Sequence, residues 1–482
     1  MSAPAPSFPT PGRQSNRRPT AHTSDIASGR GRRNPQVTVV HRNDNLRAER
    51  KRRVEQALAD AYNGGLAHRG GLCEERNTLD SAENSSDILV AGSGPVGLIA
   101  ALSLARAGFA VTLVGPPPTT DDRRTTALMM PAIHFLDELG LIDPIREKTA
   151  PLRVMRIIDA TKRLIRSPVV TFRASEIGEE AFGLNIPNSV FAAALAAAVL
   201  DEPAIVWRKT LVARWQLSGE HATAFLEDGA ELEANLVIAA DGRSSPARNA
   251  AGITIRTHSY EQAALVLTFS HGRSHGDIST EFHTETGPFT TVPLPGNRSS
   301  LVWVVTPDDA EKLSRLDDAA LGVRVEEKMQ SMLGRVTVEP GRQVYPLSAG
   351  LPARFAQNRV ALVGEAAHVF PPIGAQGLNL GIRDIQQLVE VVIDHSADPG
   401  AQAALDLYNR RRRPDILART GVVNLLNMSL LSDFLPAQMA RSAGLSLLGA
   451  LAPVRALFMR EGLRPGSGFS GIWSGLREQI RR

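Results

Sequence analysis

Short apolar runs, separated by polar or glycine-containing turns, recur along the chain from about residue 85 onward. Ile88–Ala91, Ala110–Val114, Leu236–Ile238 and Val360–Val363 are almost wholly apolar. Unbroken runs of this length are typical of strands that are buried on both faces of a parallel sheet. The apolar, alanine-rich run Leu98–Ala107 lies between the first two and predicts a helix, so the segment from residue 85 to 115 forms a β-α-β unit.

The remaining segments alternate between the two periodicities. Helical patterns occupy Thr125–Leu139, Asn188–Leu200, Ser314–Met332, Gly377–Ile393 and most of 401–482. Strand patterns occupy Val154–Phe172, Ile205–Leu217, His221–Leu226, Glu231–Ile238, Ala263–Phe269, Ser279–His283 and Leu301–Thr306. The pattern predicts an α/β chain in which a parallel core is interrupted by β-rich insertions and followed by helices.

A glycine motif connects the first strand to the first helix. Gly92, Gly94 and Gly97 have the spacing G-x-G-x-x-G. The first glycine permits the turn, the second lets a pyrophosphate approach the backbone, and the third lets the helix pack close to the strand. The helix N-terminus offers free N–H groups to phosphates. We therefore interpret this motif as a dinucleotide site; a packing turn without a ligand is the alternative.

The acidic residue that usually follows the second strand is missing. An Asp or Glu there accepts hydrogen bonds from the adenosine ribose. In this chain the strand runs into Gly115 and three prolines, and the nearest acids are Asp121 and Asp122. The sequence leaves ribose recognition open.

Two further strands end in a glycine beside an acidic residue. Leu236–Ala240 is followed by Asp241-Gly242, and Arg359–Val363 by Gly364-Glu365. Carboxylates at the carboxyl ends of parallel strands lie where such sheets bind ligands, so Glu365 is a candidate acceptor for ribose or ribityl hydroxyls. A salt-bridged turn is the structural alternative. We expect His368 to be a structural hydrogen-bonding residue.

Composition excludes several classes of protein. The chain has 482 residues, one cysteine (Cys73) and an aromatic share of 5%. A disulfide framework or cysteine-rich metal site is therefore excluded, and a stacking-based nucleic-acid partner is not expected. No metal site is predicted, and no run of about 20 apolar residues predicts a membrane span.

The first 80 residues differ from the rest. They carry 14 Lys and Arg against 8 Asp and Glu, whereas the rest of the chain is slightly acidic. We predict a disordered basic extension over residues 1–84. Three interpretations of this segment remain open: a tail that contacts anionic lipid or nucleic acid, a transit-like segment, or upstream sequence included by a wrong start site.

The chain resembles the class A flavoprotein aromatic hydroxylases, and within them the ubiquinone-biosynthesis FAD-dependent hydroxylase family. The resemblance covers about residues 85–465. Beyond the glycine motif it rests on Asp122–Leu128, Gly183–Asn188, Ala240–Arg243, Glu285–Phe289, Gly364–Asp384, Tyr408–Pro414 and the helical stretch Asn424–Leu463.

The resemblance implies the fold, the cofactor and a role for each matching residue. It implies a Rossmann-like FAD-binding domain of the glutathione-reductase and p-hydroxybenzoate-hydroxylase type, with an inserted β-rich substrate domain and C-terminal helices. FAD would be held by Gly92, Gly94, Pro95, Gly97, Arg124, Asp241, Gly242, Gly364, Glu365, Pro372, Gly374, Gly377, Leu378 and Asn379. The isoalloxazine and oxygen pocket would comprise Pro372, Gly374, Gln376 and Gly377. Glu365 stands where the family usually has Asp, and Gly115 where an acidic ribose ligand is usual.

The same resemblance implies domain limits. The FAD-binding domain would comprise residues 85–152, 185–255 and 346–400. The substrate domain would comprise 153–184 and 256–345, and the helical region 401–482.

The implied reaction is hydroxylation of an aromatic ring by NADH or NADPH and O₂ through a flavin C4a-hydroperoxide. The expected substrate is a polyprenyl phenol of ubiquinone biosynthesis. A soluble aromatic substrate and a non-catalytic flavin-binding scaffold in a biosynthetic complex remain alternatives. The expected location is cytoplasmic, peripheral on the inner membrane if the tail segment Leu425–Met459 rests on a bilayer. The sequence names no catalytic acid or base.

Overall fold

The structure is a computed structural model that describes residues 85–119, 121–162, 166–371, 376–431 and 435–463. The predicted basic extension over residues 1–84 and the end of the chain after residue 463 lie outside these residues.

Nineteen strands occur in the described residues. In chain order they are β1 (Ser85–Ala91), β2 (Val111–Val114), β3 (Thr125–Met129), β4 (Ala150–Pro151), β5 (Val154–Asp159), β6 (Val170–Arg173), β7 (Gly183–Pro187), β8 (Ile205–Arg208), β9 (Val212–Leu217), β10 (Ala222–Leu226), β11 (Glu231–Ala239), β12 (Ile255–His271), β13 (Ile278–His283), β14 (Pro288–Leu294), β15 (Arg298–Val305), β16 (Val336–Val338), β17 (Gln343–Pro352), β18 (Ala356–Gln357) and β19 (Val360–Leu362).

The α-helices of the same residues number ten. They are α1 (Pro95–Arg106), α2 (Met130–Glu138), α3 (Asn188–Leu200), α4 (Pro246–Ala250), α5 (Pro307–Ser314), α6 (Asp318–Lys328), α7 (Gln376–Asp394), α8 (Gln402–Leu431), α9 (Leu435–Ala450) and α10 (Ala452–Leu463). Short 3₁₀ turns span Asp143–Lys148, Ala174–Ile177 and Gly364–Ala366.

The first sheet has a parallel core in the order β19-β11-β1-β2-β8, with β18, β10 and β9 added antiparallel. Ile88, Leu89 and Val90 are fully buried because α1 and other elements cover the sheet. The apolar runs in the sequence therefore predict this core correctly. Parallel strands place their carboxyl ends at one edge, where Ala91, Ala239 and Leu362 are neighbours in register.

The second sheet has the order β16-β12-β15-β14-β13-β5-β6, and β17 also pairs with β12. One face packs against α5 and α6 through an apolar cluster that includes Leu265, Phe289, Trp303, Leu321 and Val325. The opposite face carries the residues that matter for the site. A third sheet, β3-β7-β4, contacts β14 through β7 and β4.

The α/β fold class with a β-rich insertion and C-terminal helices is confirmed. One predicted helix was wrong at its start: Thr125–Met129 is strand β3, and the helix begins only at Met130. The five residues pair with β7 from Thr125↔Pro187 to Met129↔Gly183, and this tertiary pairing overrides the helical pattern. The predicted helix Ser314–Met332 is also narrower, because α5 ends at Ser314 and α6 runs from Asp318 to Lys328.

Candidate cofactor and active site

The three glycines of the first motif have different surroundings. A Cβ atom on Gly92 would lie 2.3 Å from the Ala240 carbonyl oxygen, and one on Gly97 would lie 1.8 Å from the Gly92 carbonyl oxygen. A Cβ on Gly94 would meet nothing within 4 Å. Gly92 and Gly97 are therefore required by the packing of the protein itself, whereas Gly94 leaves an open surface at the helix end.

Helix α1 begins directly on this open surface. Gly94 is its N-cap residue, and Pro95 occupies the first helical position, where a missing N–H costs nothing. The first turn carries no acidic side chain, so the partial positive charge of the helix end is not neutralised locally. This arrangement is suited to an anion such as a pyrophosphate.

The position after β2 cannot hold an acidic side chain in this backbone arrangement. A Cβ on Gly115 would lie 2.5 Å from the Ser93 Oγ atom, and Ser93 donates a hydrogen bond to the Pro116 carbonyl. The Gly115 carbonyl accepts a hydrogen bond from Trp207 Nε1 at 2.9 Å. The packing around Ser93 and Trp207 therefore leaves no room for a ribose-binding carboxylate at position 115.

The Asp241-Gly242 turn lies beside the glycine motif at the edge of the first sheet. Asp241 Oδ2 accepts a hydrogen bond from the Ala247 N–H at 3.0 Å, while its Oδ1 is buried without a partner. Burial raises the pKa of Asp241, although hydrogen bonds from Ser245 and Ala247 oppose the change. An unused buried acceptor is suited to a ligand hydroxyl.

Arg248 fixes this turn to the next one. Its side chain is buried and donates to the Ala366 carbonyl at 3.0 Å and to the Arg243 carbonyl at 2.9 Å. The turns after β11 and β19 thus share one hydrogen-bonded support.

Gly364 and Glu365 occupy the 3₁₀ turn after β19. Gly364 has φ +60°, and a Cβ there would lie 3.0 Å from Val96 of α1. The Glu365 carboxylate lies 3.6 Å from Arg243 Nε, and both side chains are more than half exposed. Glu365 therefore faces solvent and is held only by a weak surface ion pair.

A buried charged cluster, which the sequence did not single out, supports this turn. Asp384 of α7 accepts from the Gly364 N–H at 2.9 Å and lies 2.8 Å from His368 Nε2. Arg412 of α8 lies 2.6 Å from the other Asp384 oxygen. Burial alone would raise the pKa of Asp384, but His368 and Arg412 overcome it and hold that pKa below its usual value. His368 is structural, as expected, and the sequence signal was a carboxylate at a core position of an amphipathic helix.

Arg124 lies at the start of β3. It forms a two-pronged ion pair with Asp122 at 2.8 and 2.6 Å, and its guanidinium lies 5.5 Å from the centre of the Tyr345 ring. Asp122 also accepts from Asn188 Nδ2 at 3.0 Å. Because Asp122 is committed to these two partners, it is not a free substitute for the missing ribose carboxylate.

The predicted ring-binding segment is described only in part. Pro372 and Gly374 lie outside the described residues, and Gln376 is described by its backbone alone, as the first residue of α7. Gly377 and Leu378 lie in the first turn of that helix, and a Cβ on Gly377 would meet nothing within 4 Å. Asn379 accepts from the Met129 N–H and donates to the Ala127 carbonyl, both at 2.8 Å. Its amide therefore holds β3 against α7.

A half-buried row of side chains crosses the second sheet on the face opposite α5 and α6. In register from strand to strand, the row consists of Ile157, Glu281, Thr290, Val302, Val266 and Gln343. Its four central members are intermediate in exposure, whereas their strand neighbours Phe282, Phe289, Leu301 and Leu265 on the other face are buried. We call these six residues the central row.

The face that carries the central row meets the residues around β3. Thr125 Oγ1 donates to Ser300 Oγ at 2.8 Å, and Asn185 Nδ2 donates to the Pro293 carbonyl at 2.8 Å. Ile157 of the row also belongs to an apolar cluster with Met129. The row therefore lies near the strand that Asn379 holds against α7.

Taken together, the described residues fit a bound dinucleotide. The open surface at Gly94, the uncapped end of α1 and the unpartnered Asp241 oxygen converge at one sheet edge. Gly92, Asp241 and Gly364 follow neighbouring parallel strands. Arg124 and Asn379 belong to the β3 region beside that edge.

Comparisons with known proteins agree with this geometry. The family model described as "FAD binding domain" matches residues 85–420. Ubiquinone hydroxylase UbiL of Rhodospirillum rubrum is 35% identical over 80% of this chain and 90% of its own length. The 3-demethoxyubiquinol 3-hydroxylase of Escherichia coli is 29% identical over 75% of this chain and 94% of its own length.

Solved structures show the same fold. p-Nitrophenol 4-monooxygenase PnpA of Pseudomonas putida superposes with a TM-score of 0.65 at 23% identity, covering 79% of this chain and 97% of that enzyme. The predictions of an FAD cofactor and of an oxidoreductase are confirmed. The chain belongs to the FAD-binding-domain family and, within it, to the FAD-dependent hydroxylases of ubiquinone biosynthesis.

Proposed function

We propose that this protein hydroxylates the ring of a polyprenyl phenol in ubiquinone biosynthesis, with NADH or NADPH as reductant and O₂ as oxidant. Its relatives named above support this substrate class. The observation that carries the proposal is the half-buried central row, which continues into an apolar cluster beneath the C-terminal helices. A polar centre beside an extended apolar surface suits a phenol with a long hydrocarbon tail.

We assign the cofactor contacts as follows. Gly92, Gly94, Pro95 and Gly97 hold the pyrophosphate at the end of α1. Arg124 holds the phosphate or adenosine side, and Asp241 and Gly242 lie near the pyrophosphate and the path of the nicotinamide nucleotide. Gly364 and Glu365 hold the ribityl chain, while Pro372, Gly374, Gln376, Gly377, Leu378 and Asn379 line the ring and the oxygen pocket.

Glu365 has the freedom that its assigned role needs. Its carboxylate is exposed and only weakly paired with Arg243, so it can turn toward a hydroxyl without breaking a buried contact. The extra methylene relative to Asp is compatible with this position. When bound, FAD supplies the electrons that activate O₂ so that one oxygen atom can enter the ring.

The domain limits predicted from the sequence are part of the same proposal. The residues assigned to the cofactor fall within 85–152, 185–255 and 346–400, and all six residues of the central row fall within 153–184 and 256–345. Under this division the reaction takes place between the two parts.

The tail of the substrate would extend along the apolar cluster around β6. Val170, Phe172 and Phe182 are buried there against Met459, and Leu445 and Leu448 of α9 pack on them. Met155 and Ile157 of β5 join the same cluster and connect it to the central row. The apolar cluster thus extends from Ile157, the register neighbour of Glu281, to the C-terminal helices.

The same helices would rest on a bilayer from which a lipid-soluble substrate is drawn. Leu447, Leu451 and Phe458 are about half exposed on α9, α10 and the turn between them. No single helix among the described residues is long and apolar enough to span a membrane. In the same residues, the helical segments Ser442–Ala450 and Ala452–Glu461 together have the length and apolar composition of a span, but they are bent by 108° relative to each other. Peripheral contact through exposed apolar side chains fits this geometry.

Quinone profiling tests the substrate class. A strain of the source organism that lacks the gene should lose ubiquinone and accumulate a prenylated phenol that lacks one ring hydroxyl. Complementation with the wild-type gene should restore the quinone, and complementation with a Gly94→Val variant, designed to block the pyrophosphate, should not. An unchanged quinone pool would contradict the pathway assignment and favour a soluble aromatic substrate or a scaffold.

Vesicle flotation tests the bilayer contact separately. The full-length protein should float with vesicles that contain anionic lipid, and a Leu447→Glu, Leu451→Glu, Phe458→Glu variant should remain at the bottom of the gradient. Leu417→Glu is the matched control, since Leu417 is exposed but lies on α8. Equal flotation of all three proteins would rule out this surface.

A further inference from the structure

Glu281 and His283 form a hydrogen-bonded pair on the face of the central row. They are two residues apart on β13 and therefore project to the same side of the sheet. His283 Nε2 lies 2.9 Å from Glu281 Oε1. The His283 side chain is 3% exposed and its Nδ1 has no partner, so the ring is fixed with its Nε2–H directed at the carboxylate.

The second oxygen of Glu281 is held only loosely. Its Oε2 accepts from Thr290 Oγ1 at 3.4 Å, which is long for a hydrogen bond from a hydroxyl. The Glu281 side chain is 20% exposed, and the other members of the central row are uncharged. One oxygen is therefore oriented by His283, and the other keeps acceptor capacity toward the half-buried space.

The sheet face that carries this carboxylate meets β3, because Thr125 of β3 donates a hydrogen bond to Ser300 on that face. Glu281 is in register with Ile157, which shares an apolar cluster with Met129. The Met129 N–H is held by Asn379 in the first turn of α7. Glu281 thus lies on the side of the substrate sheet that faces the region assigned to the flavin ring.

We propose that Glu281 is the general base that takes the proton of the substrate's phenolic hydroxyl, and that His283 is the positioning residue that orients the carboxylate. This inference rests on the function proposed above and names the residue that makes the ring reactive. It supplies the catalytic base that sequence reasoning left unassigned.

The proton balance is closed. As the ring carbon forms its new C–O bond, the phenolic O–H bond breaks and its proton passes to Glu281, and the electron pair left on oxygen is donated into the ring. The hydrogen on the hydroxylated carbon then leaves as a proton to water, and aromaticity returns. Glu281 gives its own proton back to the product's oxygen, so the carboxylate is regenerated. O₂ supplies the inserted atom, and its second atom becomes water with electrons from NAD(P)H.

A carboxylate can act as the base here because the proton is transferred while the new C–O bond forms. An ordinary glutamate has a pKa near 4.3 and a phenol near 10, so full transfer before reaction is unfavourable by about six pH units. General-base catalysis needs only partial transfer in the transition state and typically contributes about 10²- to 10⁴-fold.

Other charged groups around the pair are few. β14 carries no ionisable side chain, and on β5 Arg156 lies on the opposite face beside Met332. Asp159 of β5 is in register with His283, but it accepts hydrogen bonds from Thr161 Oγ1 at 2.6 Å and the Ser167 N–H at 2.9 Å. Among the described residues of β5, β13 and β14, Glu281 is therefore the carboxylate on this face that has a loosely held oxygen.

The experiment measures hydroxylation of a phenol bearing one geranyl chain by the full-length, FAD-loaded protein between pH 6 and 10. Glu281→Gln is compared with wild type, with Glu281→Asp and with Glu261→Gln, which changes an exposed glutamate on β12 of the same sheet. We expect Glu281→Gln to lower kcat about 10²- to 10⁴-fold near pH 7 with KM changed only a few-fold. The loss should shrink toward pH ~10, where the phenol ionises without help.

Glu281→Asp should recover part of the rate, and Glu261→Gln should match wild type. His283→Asn should lower kcat less than Glu281→Gln does and leave the shape of the pH profile unchanged. Calorimetric binding of the same phenol to the oxidised protein should change at most a few-fold in each variant. Thermal melting of every variant shows whether a lost rate reflects lost folding.

Each result decides the matter. A loss in Glu281→Gln that is equal at all pH values, or no loss, overturns the general base while leaving the phenol hydroxylase intact. A wild-type protein that binds FAD and consumes NAD(P)H but hydroxylates no prenylated phenol overturns both proposals. If Glu281→Gln fails to fold, a folded Glu281→Asp variant with the wild-type kcat and pH profile overturns the base, and one with a lowered, pH-rescued kcat supports it.

Discussion

Arg412 and Asp384 form a fully buried ion pair that joins α8 to α7, with their closest oxygen and nitrogen 2.6 Å apart. The same carboxylate accepts the Gly364 N–H, so this pair supports the turn that we assign to the ribityl chain. A charge pair at this depth is costly to break, because the group that remains is buried without its partner.

We expect Arg412→Met to destabilise the protein by about 3–5 kcal/mol, because it leaves Asp384 without a guanidinium partner. Urea unfolding would measure this loss. Arg413→Met is the matched control, since Arg413 is exposed on the same helix. Asp384→Asn combined with Arg412→Met should recover part of the loss, because asparagine still accepts from Gly364. Equal stability of Arg412→Met and Arg413→Met would contradict this role.

We expect substitutions at the glycines of the first motif to affect folding and cofactor binding separately. Gly94→Ala adds a Cβ into open space, so the apoprotein should melt as wild type does while FAD retention on a desalting column falls. Gly97→Ala forces a Cβ against the Gly92 carbonyl and should lower the melting temperature without FAD present. Gly444→Ala, on the exposed side of α9, should change neither property. Loss of apoprotein stability in Gly94→Ala would show that this glycine serves packing instead.

Restoring an acid after β2 should fail, and changing Ser93 should relieve only part of the clash. Gly115→Asp places a Cβ 2.5 Å from Ser93 Oγ, so we expect it to destabilise the apoprotein and to bind FAD no more tightly. Ser93→Gly combined with Gly115→Asp removes the clashing hydroxyl and its Cβ, but the backbone nitrogen of residue 93 stays 2.8 Å from the new Cβ, so this double variant should recover only part of the apoprotein stability and still bind FAD no more tightly than wild type. Calorimetric FAD affinity would measure this. Tighter binding by the single variant would show that the backbone adapts to the new side chain.

We expect the Asp122 carboxylate to stabilise the folded protein only at pH values above its pKa. Burial opposes its charge, but hydrogen bonds from Arg124 and Asn188 outweigh it and lower the pKa of Asp122 below 3.8. The native state therefore favours the ionised form, whose contribution is complete above about pH 4–5 and is lost as the pH falls through the lowered pKa. Asp122→Asn should cost about 1–2 kcal/mol at pH 7, and this cost should shrink as the pH falls through the lowered pKa of Asp122. Asp121→Asn, at an exposed acid, is the control; a pH-independent difference would contradict the assignment.

Asn379 should matter through strand β3. Asn379→Ala removes both hydrogen bonds to the β3 backbone, whereas Asn379→Asp keeps the acceptor for the Met129 N–H and loses the donor to Ala127. We expect Ala to cost about 1–3 kcal/mol and Asp less, with FAD retention falling in the same order. Asn297→Ala, at an exposed turn, is the control. Wild-type stability with reduced FAD binding would show that Asn379 acts on the ring alone and does not support β3.

Much of the fold follows from local pattern. The apolar runs at Ile88–Ala91 and Val360–Val363 are buried parallel strands, because only a segment covered on both faces can be apolar throughout. The spacing of Gly92, Gly94 and Gly97 predicted the strand, turn and helix, since a tight turn and close packing of the helix on the strand require glycine at these positions. Thr125–Met129 shows the limit of this approach, because pairing with a distant strand decided its conformation.

The sequence by itself determined the cofactor class and predicts the edge of the sheet at which we propose that FAD binds, because those properties reside in short segments with their own backbone geometry. Only the tertiary structure paired Asp384 with Arg412 and placed Glu281 beside His283 on the face that meets β3. It also revealed that Ser93 occupies the space beside Gly115. Such relationships depend on side chains far apart in the chain or on which sheet face they share, and no local pattern contains that information.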